Sequence, residues 1–347
     1  TPDWDHYEQF MDNAIARVPA LAKAGVKQLL NGPESFTPDG NFILGEAPEL
    51  KNFYVGAGFN AFGIASGGGA GMALAEWAAK GEAPYDLWPV DIRRFGKVHH
   101  STDWVRTRTL EAYGKHYTIA WPSEEMTSAR PVRRSPLYGH LQAAGACFGE
   151  KLGWERPNWF ADLAAGETPV DRYSYQRPGW FDAVGREHRA ARSAAVLIDQ
   201  TSFAKFTLKG PDAAKCLNYI AAGNVDRAVG SLTYTQMLNK RGGIEADVTV
   251  ARTAWDEFYI VTGTGFATHD FDWIARNIPA DAKCQLVDVT SAYSVLSRRL
   301  GDVPTESVTV FCLGTALLSA LVHPMVEETV WPATTLGWLS ILALGIG

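Results

Sequence analysis

The stretch that decides the fold is Tyr54-Val55-Gly56-Ala57-Gly58-Phe59-Asn60-Ala61-Phe62-Gly63-Ile64-Ala65-Ser66-Gly67-Gly68-Gly69-Ala70-Gly71. The apolar run 52–55 predicts a buried strand, and 72–80 predicts a helix that ends at Gly81. The glycines between them predict a turn whose backbone closely approaches a flat or anionic group, because the free N–H groups of a helix's first turn point outward. A flexible surface loop is the alternative interpretation.

The flanking sequence extends this pattern. Gly32-Pro33-Glu34-Ser35-Phe36-Thr37-Pro38-Asp39-Gly40 precedes it, and Ala83-Pro84-Tyr85-Asp86-Leu87-Trp88-Pro89-Val90-Asp91-Ile92-Arg93-Arg94-Phe95 follows. The ordered set resembles the closing segment of the flavin domain in the dimethylglycine and sarcosine dehydrogenase family of FAD-dependent amine oxidoreductases. The resemblance implies that the glycine turn lies against the flavin ring, with the following helix N-terminus directed at its pyrimidine edge. The matching cofactor-binding positions are Gly58, Phe59, Asn60, Gly63 and Ile64.

A second block lies further along the chain. Residue patterns predict strands at 203–209, 233–239, 248–252 and 258–262, and helices near 185–192 and 267–277. The run Tyr234-Thr235-Gln236-Met237-Leu238-Asn239-Lys240-Arg241-Gly242-Gly243-Ile244-Glu245-Ala246-Asp247 resembles the aminomethyltransferase (glycine-cleavage T-protein) fold. That resemblance implies that Asp247 is a catalytic carboxylate beside the reactive nitrogens of tetrahydrofolate, and that Tyr234 lines the same pocket. The alternative for Asp247 is a strand-end surface carboxylate, and Glu245 is expected to face elsewhere or stay solvated.

The expected fold is therefore mixed α/β and α+β. Residues 1–95 correspond to the C-terminal part of an FAD-dependent oxidoreductase domain, beginning with a helix at 5–30 that Pro19 and Gly25 divide or bend. Residues 96–150 correspond to a central connector, and 151–296 to the N-terminal part of a folate-binding domain. Residues 297–347 form an atypical apolar tail, which we interpret as a shifted reading frame. Its two apolar runs are shorter than the roughly 20 residues of a membrane span, and a hairpin anchor is the alternative.

The family's dinucleotide-binding unit has no counterpart in this sequence. No strand is followed by a G-x-G-x-x-G turn and an acidic residue. We therefore expect a fragment that lacks the nucleotide-binding half. Alone, such a chain would bind FAD weakly or not at all and would be inactive.

Composition narrows the remaining classes of function. A net charge of −6 over 347 residues disfavours nucleic-acid binding. Cys147, Cys216, Cys284 and Cys312 are widely spaced, which argues against a disulfide framework or a zinc site. No H-E-x-x-H spacing occurs, so no metal site is expected. These features favour a reducing compartment: the cytoplasm in a bacterium, or the mitochondrial matrix in a eukaryote.

The two resemblances together imply one chemistry. A flavin takes a hydride from an N-methyl group of a small amine of the dimethylglycine or sarcosine type, and the one-carbon unit passes to tetrahydrofolate. FAD and tetrahydrofolate are then the cofactors, and oxygen or an electron-transfer flavoprotein is the electron acceptor. Two alternatives stay open: a noncatalytic remnant, or a folate-binding aminomethyltransferase-like module without redox activity.

Overall fold

The computed structural model describes residues 2–293 and the backbone of a strand at Leu296–Leu300. The helices are α1 Trp4–Arg17, α2 Gly63–Lys80, α3 Thr102–His116, α4 Tyr138–Ala143, α5 Phe181–Ser193, α6 Ala213–Ile220 and α7 Ala267–Asn277. The strands are β1 Ile43–Glu46, β2 Tyr54–Ala57, β3 Ala146–Lys151, β4 Trp154–Phe160, β5 Ala195–Asp199, β6 Ala204–Lys209, β7 Leu232–Leu238, β8 Ile244–Ala254, β9 Glu257–Thr262, β10 Gln285–Asp288 and β11 Leu296–Leu300. Short 3₁₀ helices lie at Pro19–Lys23, Trp88–Val90, Ile92–Arg94, Lys97–His100, Leu163–Ala165 and Thr264–Phe266.

The first helix is shorter than the predicted 5–30. It begins after Asp3, whose side chain accepts the His6 N–H at 3.0 Å, and it ends at Arg17. Pro19 then begins a short 3₁₀ helix. Proline lacks a backbone donor and its ring collides with the preceding turn, so it ends the α-helix here rather than bending it.

The second half of the glycine-rich stretch, from Gly63, is helix, which corrects the predicted turn. Strands β1 and β2 form an antiparallel hairpin, and α2 begins at Gly63, nine residues before the predicted start. The buried side chains of α2 are Ala70, Ala73 and Trp77, whose spacing gives one apolar stripe across the glycine run. The helix ends at Gly81 with φ +74°, as predicted. Strand β2 is half-buried to exposed rather than buried.

The central part of the chain joins a helix to a hairpin. Ser101 caps α3, and Arg108 of that helix pairs with Glu150 on β3 at 3.0 Å. In the β3–β4 hairpin, Trp154 and Trp159 are buried.

The largest sheet lies in the C-terminal half. It is antiparallel with strand order β10-β6-β9-β8-β7. One face forms the main core with α6 and α7, through Phe206, Leu208, Leu217, Met237, Val248, Val250, Phe258, Ile260 and Ile274. The predicted strands at 203–209, 233–239, 248–252 and 258–262 are confirmed, and α7 has the predicted bounds.

The tail was predicted to begin at residue 297; its backbone at 297–300 belongs to strand β11, and residues 301–347 lie outside the described part of the chain. Within the described part, no helix combines the length and the apolar character needed to cross a bilayer.

The Cys216 and Cys284 thiols are close enough to hydrogen-bond although they are distant in sequence, and both are free. Burial, together with this thiol contact, raises the pKa of Cys284 to about 11.

Candidate functional site

The loop between β2 and α2 is organised by Asn60. Its side chain is buried: Oδ1 accepts the Thr37 N–H at 3.0 Å and Nδ2 donates to the Gly58 carbonyl at 2.5 Å. Both Gly58 and Asn60 have positive φ, at +64° and +49°. The Asn60 N–H also donates to the Ser35 carbonyl at 3.1 Å, so both the side chain and the backbone donor of this predicted cofactor-binding position hold the loop.

The start of α2 is open and almost free of large side chains. Phe59 stacks on Phe42 with ring centroids 5.0 Å apart, whereas Ile64, just after Gly63, is fully exposed. A Cβ added at Gly67, Gly68, Gly69 or Gly71 would meet no atom within 4 Å. A flat group can approach this backbone without collision, so the residues fit the flavin edge that the sequence implies.

Tyr234 and Asp247 meet on the sheet face opposite the main core. The Tyr234 hydroxyl donates to Asp247 Oδ2 at 2.6 Å across the β7–β8 pair. Both side chains are exposed, and the hydrogen bond to Asp247 raises the pKa of Tyr234. The two residues predicted to share a pocket are thus in direct contact, and their open face leaves Asp247 accessible to a ligand.

Glu245 is half-buried and contacts α7. It lies two residues before Asp247 on β8, at the point where a register shift interrupts the β7–β8 ladder. Asn239 Nδ2 donates to it at 2.8 Å, and His269 Nε2 lies 3.6 Å from its carboxylate. Burial acts to raise the pKa of Glu245, but the hydrogen bonds of His269 and Asn239 prevail and lower it. These contacts fit the expectation that Glu245 faces elsewhere than Asp247, whereas its burial does not fit a solvated carboxylate.

A buried polar chain connects His269 to the strand that carries Asp247. His269 Nδ1 lies 2.9 Å from Asp270, the Thr262 hydroxyl donates to Asp270 at 2.5 Å, and the same hydroxyl oxygen lies 3.3 Å from the Asp247 carbonyl oxygen. Burial acts to lower the pKa of His269, but the neighbouring carboxylates Asp270 and Glu245 prevail and raise it. Through Thr262, these hydrogen bonds connect the backbone of Asp247 to Asp270 and His269 on helix α7.

The same network touches the N-terminal half of the chain. Trp88 stacks on Phe266 with centroids 4.6 Å apart and meets the edge of His269 at 5.5 Å. Arg276 pairs with Glu46 and also donates to Asp272 at 2.6 Å. Sequence reasoning missed the contacts of Trp88 and Glu46 with the C-terminal half, because nothing local marks pairs that lie so far apart in the sequence.

Arg241 makes a further link between the halves. It lies in the tight turn between β7 and β8, and its guanidinium donates to the carbonyls of Ala83 at 2.6 Å and Pro84 at 2.5 Å. The hairpin that presents Tyr234 and Asp247 is thereby fixed to the segment that follows α2. Among the described residues, no group of His, Cys, Asp and Glu is arranged to hold a metal ion.

Three family models match the chain in order. Residues 1–77 match "FAD dependent oxidoreductase", 80–135 match "FAD dependent oxidoreductase central domain", and 137–297 match "GCVT N-terminal domain". The second half of the chain therefore has the fold class predicted from Tyr234–Asp247, and the first half has the class predicted from the glycine-rich stretch.

Curated relatives cover the same region. 4-Methylaminobutanoate oxidase (formaldehyde-forming) of Paenarthrobacter nicotinovorans is 45% identical over 75% of this chain and 31% of its own length. Human mitochondrial sarcosine dehydrogenase is 37% identical over 85% of this chain and 36% of its own. The mouse mitochondrial pyruvate dehydrogenase phosphatase regulatory subunit is 37% identical over 85% of this chain and 34% of its own.

The chain thus spans about a third of the length of these relatives. The match begins in the oxidoreductase model, passes through its central domain and continues into the aminomethyltransferase-type domain without a change of order. The chain belongs to the dimethylglycine and sarcosine dehydrogenase family.

Proposed function

We propose that the chain serves an FAD-dependent oxidative N-demethylation of a small N-methyl amine, with transfer of the one-carbon unit to tetrahydrofolate. The observation that carries this proposal is the exposed Tyr234–Asp247 pair. It lies on an aminomethyltransferase-type domain that Arg241 and Arg276 fasten to an oxidoreductase-type segment. When bound, FAD accepts the hydride of the amine C–H bond, and tetrahydrofolate supplies the nitrogens that take up the carbon.

Asp247 would act as the charged group of the folate site. Its carboxylate favours a cation arriving at the open sheet face, and its free oxygen can accept a proton from an adjacent N–H. Tyr234 donates to the other oxygen at 2.6 Å and so orients the carboxylate. The Thr262 contact to the Asp247 carbonyl limits movement of the strand beneath it.

The N-terminus of α2 would face the flavin. Gly63 begins this helix, and its first-turn N–H groups carry partial positive charge, which stabilises negative charge on a reduced ring. The open positions Gly67, Gly68, Gly69 and Gly71 allow close approach. Gly58, Phe59, Asn60 and Ile64 complete the set, with Asn60 holding the loop as described.

The substrate and the compartment follow the relatives. A small N-methyl amine of the sarcosine or dimethylglycine type is the substrate, and oxygen or an electron-transfer flavoprotein is the acceptor. The compartment is the bacterial cytoplasm or the mitochondrial matrix.

A noncatalytic role is the second candidate. The mouse pyruvate dehydrogenase phosphatase regulatory subunit favours this role, because it is 37% identical to this chain, the same identity as human sarcosine dehydrogenase. In that case the folded modules would bind a partner or a ligand without turnover.

Calorimetric titration with tetrahydrofolate separates the two candidates. We expect the wild-type chain to bind, and Asp247→Ala to bind on the order of tenfold more weakly, since a hydrogen bond to a charged group contributes about 1.5–3 kcal/mol. Asp281→Ala is the matched control, because Asp281 is an exposed carboxylate in the loop before β10. Glu245 is unsuitable as a control, because its removal would take away the carboxylate beside His269 Nε2.

Equal affinities of the Asp247 and Asp281 variants would contradict the assignment of Asp247. A folded wild-type chain that binds no tetrahydrofolate would favour the noncatalytic role.

A further inference from the structure

A cavity of about 230 Å³ lies between strand β4 and the start of helix α5. Its wall includes two carboxylates, Glu125 and Asp171, two tryptophans, Trp159 and Trp180, and the amide of Asn158, and it contains no Lys, Arg or His. None of these residues belongs to the proposed folate or flavin site. The cavity is therefore separate from both.

The Asp171 carboxylate is held by two donors of the β3–β4 hairpin. Trp159, which lines the cavity, donates its indole N–H to Asp171 Oδ1 at 2.7 Å. The Cys147 thiol also lies within hydrogen-bonding distance of Asp171, and burial together with this carboxylate raises the pKa of Cys147 to about 12. The thiol is therefore neutral near pH 7, and neither donor compensates the charge of Asp171.

Glu125 is held in a similar way. Asn158 Nδ2 donates to Glu125 Oε1 at 2.9 Å, and the Glu150 N–H donates to Oε2 at 2.9 Å. The carboxylate lies over the backbone of Gly149, where an added Cβ would collide with Oε2. Both donors are again neutral, so they fix the position of Glu125 without compensating its charge.

The two carboxylates converge on one space. Their donors Asn158 and Trp159 are consecutive residues of β4, and a bulge in the β3–β4 ladder at this point lets both side chains line the same cavity. The Glu125 N–H donates to the Tyr173 hydroxyl at 3.5 Å. Burial, followed by the charges of Asp171 and Glu125, raises the pKa of Tyr173, so both carboxylates lie near this hydroxyl. One ligand in the cavity is thus within reach of both negative charges.

The nearby cations are bound elsewhere. Among the described residues, neither cavity carboxylate has a Lys, Arg or His nitrogen within 4.0 Å. Lys115 donates to the backbone carbonyl of Glu125 at 3.0 Å, but its ammonium group is paired with two other carboxylates, at 3.0 and 3.1 Å. Arg130 is paired with Glu155 at 2.7 Å. The wall therefore carries two negative charges without a directly bonded cation.

Aromatic rings form much of the remaining wall. Trp159 and Trp180 pack in one apolar cluster with Cys147 and Ala183, and Trp180 meets the ring of Tyr173 edge to face with centroids 5.6 Å apart. Trp180 is only half-buried, which leaves part of its surface to the cavity. Aromatic faces attract cations, and tryptophan does so most strongly.

We propose that this cavity binds a small methylated ammonium ion, with Asp171 and Glu125 as acceptors for its N–H group and the rings of Trp159 and Trp180 against its methyl groups. The N-methyl groups of such an ion are apolar and share its positive charge, so they suit an aromatic wall. The cavity is smaller than the about 300–1,000 Å³ of typical ligand sites, which limits the ion to a few heavy atoms.

Titration of the full chain with trimethylammonium chloride, at constant ionic strength set with sodium chloride, tests the proposal. Binding is followed by tryptophan fluorescence and checked by calorimetry. We expect Asp171→Asn and Glu125→Gln each to weaken binding on the order of tenfold, because each removes a charge but keeps an oxygen for the neutral donors. Asp281→Asn and Glu49→Gln are the matched controls, since both carboxylates are exposed and lie outside the cavity wall, and they should leave the affinity unchanged.

Two substitutions of Trp180 separate the cation–π contact from simple apolar packing. Trp180→Leu should weaken trimethylammonium binding about fivefold, whereas Trp180→Phe keeps an aromatic face and should retain most of the affinity. Calorimetry is the readout here because both variants lose a fluorophore, and melting temperatures check that both are folded.

The ligand control is tert-butanol, which has a similar shape and no charge. We expect it to bind at least tenfold more weakly, because it gains little from the two carboxylates. Equal affinities for tert-butanol and trimethylammonium would overturn the assignment to a cation. Equal affinities of the Asp171 and Asp281 variants, or of the two Trp180 variants, would overturn the assigned contacts. Absence of trimethylammonium binding by the folded wild-type chain would overturn the site itself.

Discussion

Lys205 offers a sharp test of the folate-type domain, because it is a fully buried amine on the inner strand β6. Its ammonium group donates to the carbonyls of Thr201 at 2.6 Å and Phe203 at 2.8 Å, with the Thr290 carbonyl at 3.5 Å. Burial lowers the pKa of Lys205 from 10.5 to about 8. The three carbonyls stabilise the charged ammonium by less than its desolvation destabilises it, so the pKa falls.

The sign of the pH dependence follows from this shift. Below about pH 8 both the folded and the unfolded chain carry the proton, and the folded state bears the penalty of burial. Between about pH 8 and pH 10.5 the unfolded chain binds more protons, so the free energy of unfolding rises with pH. A shift of this size corresponds to about 3 kcal/mol in total, of which about 2 kcal/mol falls between about pH 7 and pH 9.5.

Urea unfolding of wild type and Lys205→Met at these two pH values measures the effect. The free energy of unfolding of wild type should gain about 2 kcal/mol relative to the variant as pH rises, because methionine does not titrate. Lys209→Met is the control on the same strand, where the amine is exposed beside Glu257 and should give no such gain in this range. A difference between wild type and Lys205→Met that stays constant with pH would refute the reasoning.

Three further substitutions test the packing described above, each by urea unfolding. Arg276→Ala should lower the free energy of unfolding by about 2–3 kcal/mol, because it leaves the mostly buried carboxylates of Glu46 and Asp272 without this cation. A loss below about 0.5 kcal/mol would mean that these ion pairs are solvated. Gly210→Ala should cost more than about 2 kcal/mol, since φ is +138° and the new Cβ would lie 2.3 Å from the Lys283 carbonyl oxygen; an unchanged stability would contradict that close approach. Asn60→Ala should cost about 1–3 kcal/mol by leaving the Thr37 N–H without its acceptor, with faster proteolysis of the loop as a second readout; unaltered cleavage would show that the loop holds without it.

The sheet of the C-terminal half was predictable because its signals are local. Alternation along 203–209 and 258–262 places Phe206, Leu208, Phe258 and Ile260 on one face, and these side chains form the core. The helix 267–277 was predictable for the same reason, through its apolar period.

The glycine-rich stretch was predicted less well, for a physical reason. Glycine weakens a helix in isolation, so the propensity of Gly67–Gly71 argues for a turn. The packing of Ala70, Ala73 and Trp77 outweighs that propensity and makes the run helical from Gly63.

The candidate site was predictable only at its surface. Tyr234 and Asp247 were recognised from a contiguous run, and the structure brings them into contact. The network behind them, from Glu245 through His269 to Trp88, depends on tertiary contacts that no spacing in the sequence encodes.

The Arg241 contact has a genetic consequence. Its two acceptors are the backbone carbonyls of residues 83 and 84, so the identity of the side chain at 83 does not enter the interaction. A saturation mutagenesis screen should therefore be asymmetric: position 241 should tolerate few replacements, whereas position 83 should tolerate many. Lysine, a compact cation without the planar fork of arginine, should fail at 241 to span both carbonyls. At this contact the sequence can thus diverge on one side of the junction while the Arg241 guanidinium on the other side keeps the same two acceptors.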